Sequence, residues 1–66
     1  MSHYKSGHLR ETVHEAGFNV VRILEDEIVL EDMETRSLEL WGVSDNFAGY
    51  AIEFNGHEYE YIRTIS

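Results

Sequence analysis

The dipeptide Asn55-Gly56 separates two short segments, Tyr50–Phe54 and residues 57–61, in which apolar or aromatic residues alternate with polar ones. Asn-Gly is the dipeptide most typical of a two-residue β-hairpin, because a type I′ turn requires positive φ at both central positions. The sequence therefore predicts a hairpin with a fixed register at this end of the chain.

The predicted register gives the hairpin two unlike faces. Ile52 faces Tyr59 on an apolar and aromatic face, and Glu53 faces Glu58 on a face crowded with carboxylates. Directly opposed like charges destabilise a sheet. The acidic face is thus the local feature that suggests a function.

The chain has 66 residues and no cysteine. This length predicts one small domain over residues 6–66, with a frayed N-terminus at residues 1–5. Without cysteine, no disulfide and no thiolate metal site can form. No apolar run reaches the ~18 residues of a membrane span, and residues 1–5 do not resemble a signal peptide. We expect a cytoplasmic domain. Its small size also leaves open a homo-oligomer that supplies the missing burial.

The formal net charge is −8, from 13 acidic and 5 basic residues. Such a field repels nucleic acid and anionic membranes and favours a basic protein partner. Solubility alone is the simpler explanation, since small domains commonly carry a net charge of about 2–8. The acidic field argues against direct binding of nucleic acid or of an anionic membrane.

The N-terminal part of the chain has a helical pattern. Ser6 can cap a helix over residues 7–16, and Gly17 stands where a left-handed C′ residue is expected, followed by Phe18 at C″ where it can pack on Val13. The apolar positions of the predicted helix share one face: Leu9, Val13 and Ala16.

From Phe18 onward the pattern has period two. A tight turn at residues 25–26 predicts pairing of Val21 with Leu30, and a turn at residues 33–35 predicts pairing of Leu30 with Leu38. Placing Leu40 beside Ile52 then completes an antiparallel meander of five strands. Its predicted apolar face contains Val21, Ile23, Ile28, Leu30, Leu38, Leu40, Tyr50, Ile52, Phe54, Tyr59 and Tyr61.

The predicted fold class is therefore α+β, a short N-terminal helix followed by a curved five-stranded antiparallel meander. An SH3-like or Sm-like small open barrel is one form, and a flat sheet with the helix packed on one face is the alternative. Asp32, residues 38–40, residues 52–56 and residues 59–62 occur in an order that loosely resembles the two motifs of the Sm family.

The resemblance implies a small barrel but not the RNA-binding function of the Sm family. Arg36 and Asn55 stand where that family usually has an RNA-contacting asparagine and arginine, and the charge of −8 disfavours RNA.

Catalytic and metal-binding patterns are weak. His8 and His14 are six positions apart, so they do not share a helical face, and no His-Glu-x-x-His pattern occurs. No serine has a Gly-x-Ser-x-Gly context, and a meander of this size offers little room for a ligand pocket. We expect no enzymatic activity, no cofactor and no metal.

The candidate partner-binding residues lie on the predicted acidic face, with the tryptophan as an aromatic anchor: Glu39, Trp41, Glu53, Glu58 and Glu60. They predict a small acidic, non-enzymatic binding or accessory protein that acts through protein–protein contact. One alternative is a nucleic-acid-mimicking inhibitor of a basic DNA- or RNA-binding protein, and another is a self-assembling structural unit. Acidic residues that only solvate the sheet and block aggregation would explain the same pattern.

Overall fold

A computed structural model describes residues 9–44 and 49–65 of the chain. Within these ranges all regular secondary structure is β-strand, and there is no helix. The strands are β1 (Leu9–Thr12), β2 (Phe18–Ile23), β3 (Glu27–Asp32), β4 (Leu38–Val43), β5 (Tyr50–Phe54) and β6 (His57–Ile65).

The six strands form one mixed sheet in the order β1-β5-β6-β4-β3-β2. β1 runs parallel to β5, and the other neighbouring pairs are antiparallel. The predicted α+β fold is therefore wrong. Neither of its two forms is present: not the five-stranded SH3-like or Sm-like meander with a helix, and not the flat sheet with a helix packed on one face.

The connection between β1 and β2 shows that the sheet is curled. These two strands lie at opposite edges of the sheet, yet only residues 13–17 join them. A flat six-stranded sheet would set its outer strands about 24 Å apart, whereas so short a connection reaches at most about 20 Å. The connection is also tightened into a turn, with the Ala16 N–H donating to the Thr12 carbonyl at 3.0 Å. The sheet therefore bends into a half-barrel with a concave and a convex face.

The predicted helix over residues 7–16 is wrong, although its predicted end is correct. Gly17 has φ of 91° and its N–H donates to the His14 carbonyl, while the Phe18 N–H donates to the Val13 carbonyl. These two bonds form a Schellman motif. In the described residues upstream of it there is a single helical turn, because Leu9–Thr12 extend as β1 and pair with the open edge of β5. The proposed cap, Ser6, lies outside the described residues.

The predicted meander is wrong at its last step, because β4 pairs with β6 and not with β5. The final strand runs on to Ile65, well beyond the end of its pairing with β5. This extension needs another partner, and β4 supplies one from Leu38↔Ile65 to Val43↔Tyr59. β5 is left with one open edge, which β1 covers.

The predicted register between β3 and β4 is wrong by one residue. Leu30 pairs with Glu39 and Ile28 pairs with Trp41, in place of Leu38 and Leu40. Side chains alternate between faces along a strand, so this shift moves Leu38 and Leu40 to the convex face and Trp41 to the concave face.

The loop between β3 and β4 explains the shift. Asp32 pairs across it with Ser37 through a 2.9 Å backbone hydrogen bond, and Arg36 adopts φ of 67°. The Asp32 carboxylate accepts hydrogen bonds from the N–H groups of Glu34 and Thr35. The loop is therefore residues 33–36, one residue longer than predicted.

The core lies on the concave face. A bulge at Val21 leaves that side chain 51 % exposed and brings Val20 opposite Leu30, so Val21 is not part of the apolar face as predicted. The buried cluster consists of Val13, Phe18, Ile28, Leu30, Trp41, Ile52 and Tyr59.

Candidate functional site

The β5–β6 hairpin has the register that its sequence predicts. Asn55 and Gly56 have φ of 55° and 83°, as a type I′ turn requires. The structure pairs Glu53 with Glu58 and Ile52 with Tyr59. The acidic and the aromatic faces of this hairpin are thus confirmed.

A neighbouring arginine relieves the repulsion between these two glutamates. Arg10 on β1 pairs with Ala51 on β5, and its guanidinium forms an ion pair with Glu58. Sequence reasoning missed Arg10 because it placed this residue in a helix. If the segment is instead read as a strand, Arg10 and its neighbour Glu11 point to opposite faces of the sheet. That was the signal available in the sequence.

The carboxylates on the convex face gather at the end where the β5–β6 turn lies. Glu27 on β3 and Glu60 on β6 both pair with Gly42 on β4. We call Glu27, Glu53, Glu58 and Glu60 the acidic end. Among the residues that the structure describes, Glu58 alone of these four has an ion pair.

The rest of the convex face is more apolar than the sequence predicted. Ile62 lies over Gly42, where a Cβ would stand 2.8 Å from the Ile62 Cδ1 atom, and its side chain is 46 % exposed. We call the apolar residues of this face the convex strip: Val29, Leu38, Leu40, Ile62 and Ile65. Leu38 and Leu40 belong to this strip because of the one-residue shift in register between β3 and β4.

The structure divides the predicted partner-binding residues between the two faces. Glu53, Glu58 and Glu60 lie on the convex face, whereas Glu39 and Trp41 lie on the concave face. Trp41 is only 3 % exposed and belongs to the core. It is therefore not the exposed anchor that the sequence suggested.

Trp41 forms the base of a second group of aromatic and acidic residues. The rings of Tyr50 and Tyr61 meet its indole edge to face, with centroids 6.1 and 5.8 Å away and interplanar angles of 72° and 74°. Both tyrosines are more exposed than the tryptophan, at 37 % and 50 %. On the concave face the rings of Tyr50 and Tyr61 are therefore exposed to solvent, and the indole of Trp41 lies beneath them.

Each polar atom of these three rings has a partner. The Trp41 Nε1–H donates to Glu39 at 3.0 Å, the Tyr50 hydroxyl donates to Glu11 at 2.8 Å, and the Tyr61 hydroxyl bonds Thr64 at 2.8 Å. We call Glu11, Glu39, Trp41, Tyr50, Tyr61 and Thr64 the aromatic–acid cluster.

Glu11 also affects the ionisation of Tyr50. Burial, the hydrogen bond to Glu11 and the negative charge of Glu11 together raise the pKa of Tyr50 above its usual value. Each cause disfavours the phenolate, because the phenolate is anionic and cannot donate a hydrogen bond.

An open groove of about 690 Å³ lies between the β1–β2 connection and the β5–β6 turn. The groove is larger than the sequence led us to expect. Its floor contains Val13, Val20 and Phe54, and its titratable lining residues are His14 and Glu53. These two side chains make no hydrogen bond to each other, so the groove shows no activated acid–base pair.

Across residues 9–44 and 49–65, no three His, Cys, Asp or Glu side chains are grouped as a metal site would require. In the same ranges, no helix has the length and apolar character needed to cross a membrane. No protein-family model, no curated protein and no solved structure matches this chain.

Proposed function

We propose that this protein is a small non-enzymatic binding or accessory module that docks a basic protein partner on its convex face. The observation that carries the proposal is the juxtaposition of the acidic end with the convex strip. The partner surface would present lysine or arginine side chains around an apolar centre. A cytoplasmic location belongs to the same proposal.

Charge supports this choice of face. Glu58 and Glu60 are alternate residues of β6, so their backbones lie about 6.8 Å apart, and Glu53 lies across from Glu58. Arg10 neutralises Glu58, while Glu53 and Glu60 have no ion pair in the described part of the chain. Complementary charge mainly accelerates association and selects the partner.

Apolar surface supports a docking role over simple solvation. A face that only solvates the sheet would pair outward polar side chains across its strands, whereas this one pairs half-buried Leu38 with Ile65 and half-buried Leu40 with buried Val29. Exposed Ile62 stands beside the acidic end. Interfaces commonly combine an apolar centre with a charged rim.

The test compares two variants of equal charge. Glu53→Gln with Glu60→Gln removes two charges from the acidic end, and Glu25→Gln with Glu34→Gln removes two exposed charges from the β2–β3 and β3–β4 loops. We expect a partner captured at low salt to be retained by the wild type and the loop variant. The acidic-end variant should lose it, and wild-type binding should fall as salt rises.

Two results would contradict docking at this face. Equal loss in both variants would show that net charge alone holds the captured protein. No retained protein in any sample, with the wild type and both variants folded by circular dichroism, would remove the proposal.

The same captured partner separates the alternatives predicted from the sequence. Excess duplex DNA or RNA that displaces the partner would favour a nucleic-acid mimic, and undisturbed binding would exclude one. A mass that stays monomeric across concentration would exclude a self-assembling unit.

A further inference from the structure

We propose that the aromatic–acid cluster on the concave face binds a guanidinium group, the side chain of an arginine presented by another molecule. This site lies on the opposite face of the sheet from the convex docking surface. It does not depend on the proposed function, and the two can fail separately.

The rings provide the surface for a planar cation. Tyr50 and Tyr61 both stand steeply on the indole of Trp41, at 72° and 74°, and both expose a large part of their side chains. A cation over the face of an aromatic ring is attracted by the negative charge of the π-system. Since Trp41 is buried, the tyrosines are the rings that a ligand reaches.

The carboxylates provide the complementary charge. Glu39 accepts the Trp41 Nε1–H through Oε1, and Glu11 accepts the Tyr50 hydroxyl through Oε1. In the described residues, the second oxygen of each carboxylate has no hydrogen bond, and neither group has an ion pair. The cluster therefore carries two carboxylates that have no counter-ion among the described residues.

The geometry favours guanidinium over ammonium. Guanidinium is planar, stacks on aromatic rings and is less strongly hydrated than a lysine ammonium, so it loses less on moving from water to a ring surface. Its forked N–H groups also suit a carboxylate oxygen that is still open. A lysine ammonium meets the charge requirement but not the stacking one.

The probes are three blocked amino acids, N-acetyl-arginine amide, N-acetyl-lysine amide and N-acetyl-citrulline amide. Citrulline has nearly the shape of arginine without its charge. The chain contains a single tryptophan, so its fluorescence and its indole Nε1–H resonance both report on the base of the cluster. For a ligand of this size we expect arginine amide to bind with Kd of about 1 mM.

Two substitutions test the residues that make the site. Glu39→Gln keeps an acceptor for the indole but removes the charge, and Tyr61→Leu removes an exposed ring. Each should weaken arginine binding about fivefold to tenfold. Circular dichroism of each variant separates loss of the site from loss of the fold. Glu53→Gln with Glu60→Gln changes only the convex face and should leave this affinity unchanged.

The arginine assignment requires a saturable shift of the Trp41 indole resonance, with citrulline at least tenfold weaker. It is overturned if citrulline binds equally, if lysine binds as tightly as arginine, or if folded Tyr61→Leu and Glu39→Gln variants retain wild-type affinity. Loss of affinity in the Glu53→Gln, Glu60→Gln variant would also overturn it, because the cation would then bind the acidic end.

Discussion

The β5–β6 hairpin reverses through two residues that both have positive φ, whereas the β3–β4 hairpin reverses through residues 33–36, of which Arg36 alone has positive φ. The first turn has only one way to close, because Asn and Gly adopt the conformation that a type I′ turn requires. The second closes through hydrogen bonds of both the carboxylate and the backbone of Asp32, which several loop lengths can satisfy. One loop residue then decides which face of β4 enters the core.

Of the substitutions that test this comparison, Trp41→Ala is expected to lower the free energy of unfolding most. The indole contacts three other rings and is almost completely buried, so its removal should cost about 3–5 kcal/mol of the free energy of unfolding. That is comparable to the whole stability of a domain of this size, about 3–10 kcal/mol. Urea unfolding followed by circular dichroism measures the loss.

Val43→Ala is the matched control, because Val43 lies on the same face of the same strand but is 38 % exposed. It should cost less than about 1.5 kcal/mol. If the Trp41→Ala variant were as stable as this control, the pairing of Ile28 with Trp41, which places the indole in the core, would be wrong.

Gly56→Ala should cost about 1–2 kcal/mol, because Gly56 has φ of 83° and an L-residue is strained there. Thermal unfolding of this variant tests how much of the hairpin register depends on its turn. Gly49→Ala is the control, since a Cβ at Gly49 meets no atom within 4 Å and no positive φ is involved. Equal losses in the two variants would show that the type I′ turn does not fix this hairpin.

Asp32→Ala should cost about 1 kcal/mol, because the N–H groups of Glu34 and Thr35 lose their acceptor. Asp32→Asn keeps an acceptor oxygen and should recover most of that stability. Trp41 fluorescence also reports the register, since a slip of one residue would expose the indole and shift its emission to longer wavelength. Unchanged stability and emission in Asp32→Ala would mean that backbone contacts alone set the loop.

Tyr50→Phe tests the concave face through pH. The raised pKa of Tyr50 in the folded state stabilises the fold fully below the unfolded tyrosine pKa of about 10, and this contribution is lost as pH rises through the folded value. Urea midpoints from pH 8 upward should therefore fall more steeply for the wild type than for Tyr50→Phe. Parallel slopes would show that burial and Glu11 do not raise the pKa of Tyr50 in the folded state.

The smallest expected effect concerns the like charges of the β5–β6 hairpin. Arg10→Gln leaves Glu58 opposite Glu53 without its ion pair and should cost about 0.5 kcal/mol, since the pair is partly exposed. Adding Glu53→Gln should return most of that loss, because one of the opposed charges disappears. A double-mutant cycle in urea measures the coupling, and strict additivity would show that Arg10 does not offset this repulsion.

Several features of the fold could be predicted from local sequence. The turn at Asn55-Gly56, its register and the stop at Gly17 and Phe18 were correct, because each depends on the backbone conformation of adjacent residues. The candidate site was predicted in part. Glu53, Glu58 and Glu60 share a face as expected, but Trp41 and Glu39 do not join them.

The errors arose where distant segments compete for the same edge or face. Leu9 to Thr12 satisfies a helical pattern, yet it extends along β5 because that edge would otherwise have unpaired backbone groups. In the segment Leu38-Glu-Leu-Trp41, the two leucines lie on one face of the strand and the tryptophan lies on the other. The sequence analysis placed the leucines in the core. In the structure the tryptophan is in the core, because it has more surface to bury and packs against Phe18, Tyr50 and Tyr61.

The amino-acid sequence alone determined the two chain reversals that rely on glycine or asparagine at positive φ, and with them the separation of acids from rings on β5 and β6. The order of the strands, the curl of the sheet and the positions of Trp41 and Arg10 depended on long-range contacts. The two kinds of feature differ in the range of the interactions that set them. Turn conformation is set by the sterics of a few consecutive residues, whereas strand order and face depend on backbone pairing and burial between segments far apart in the chain.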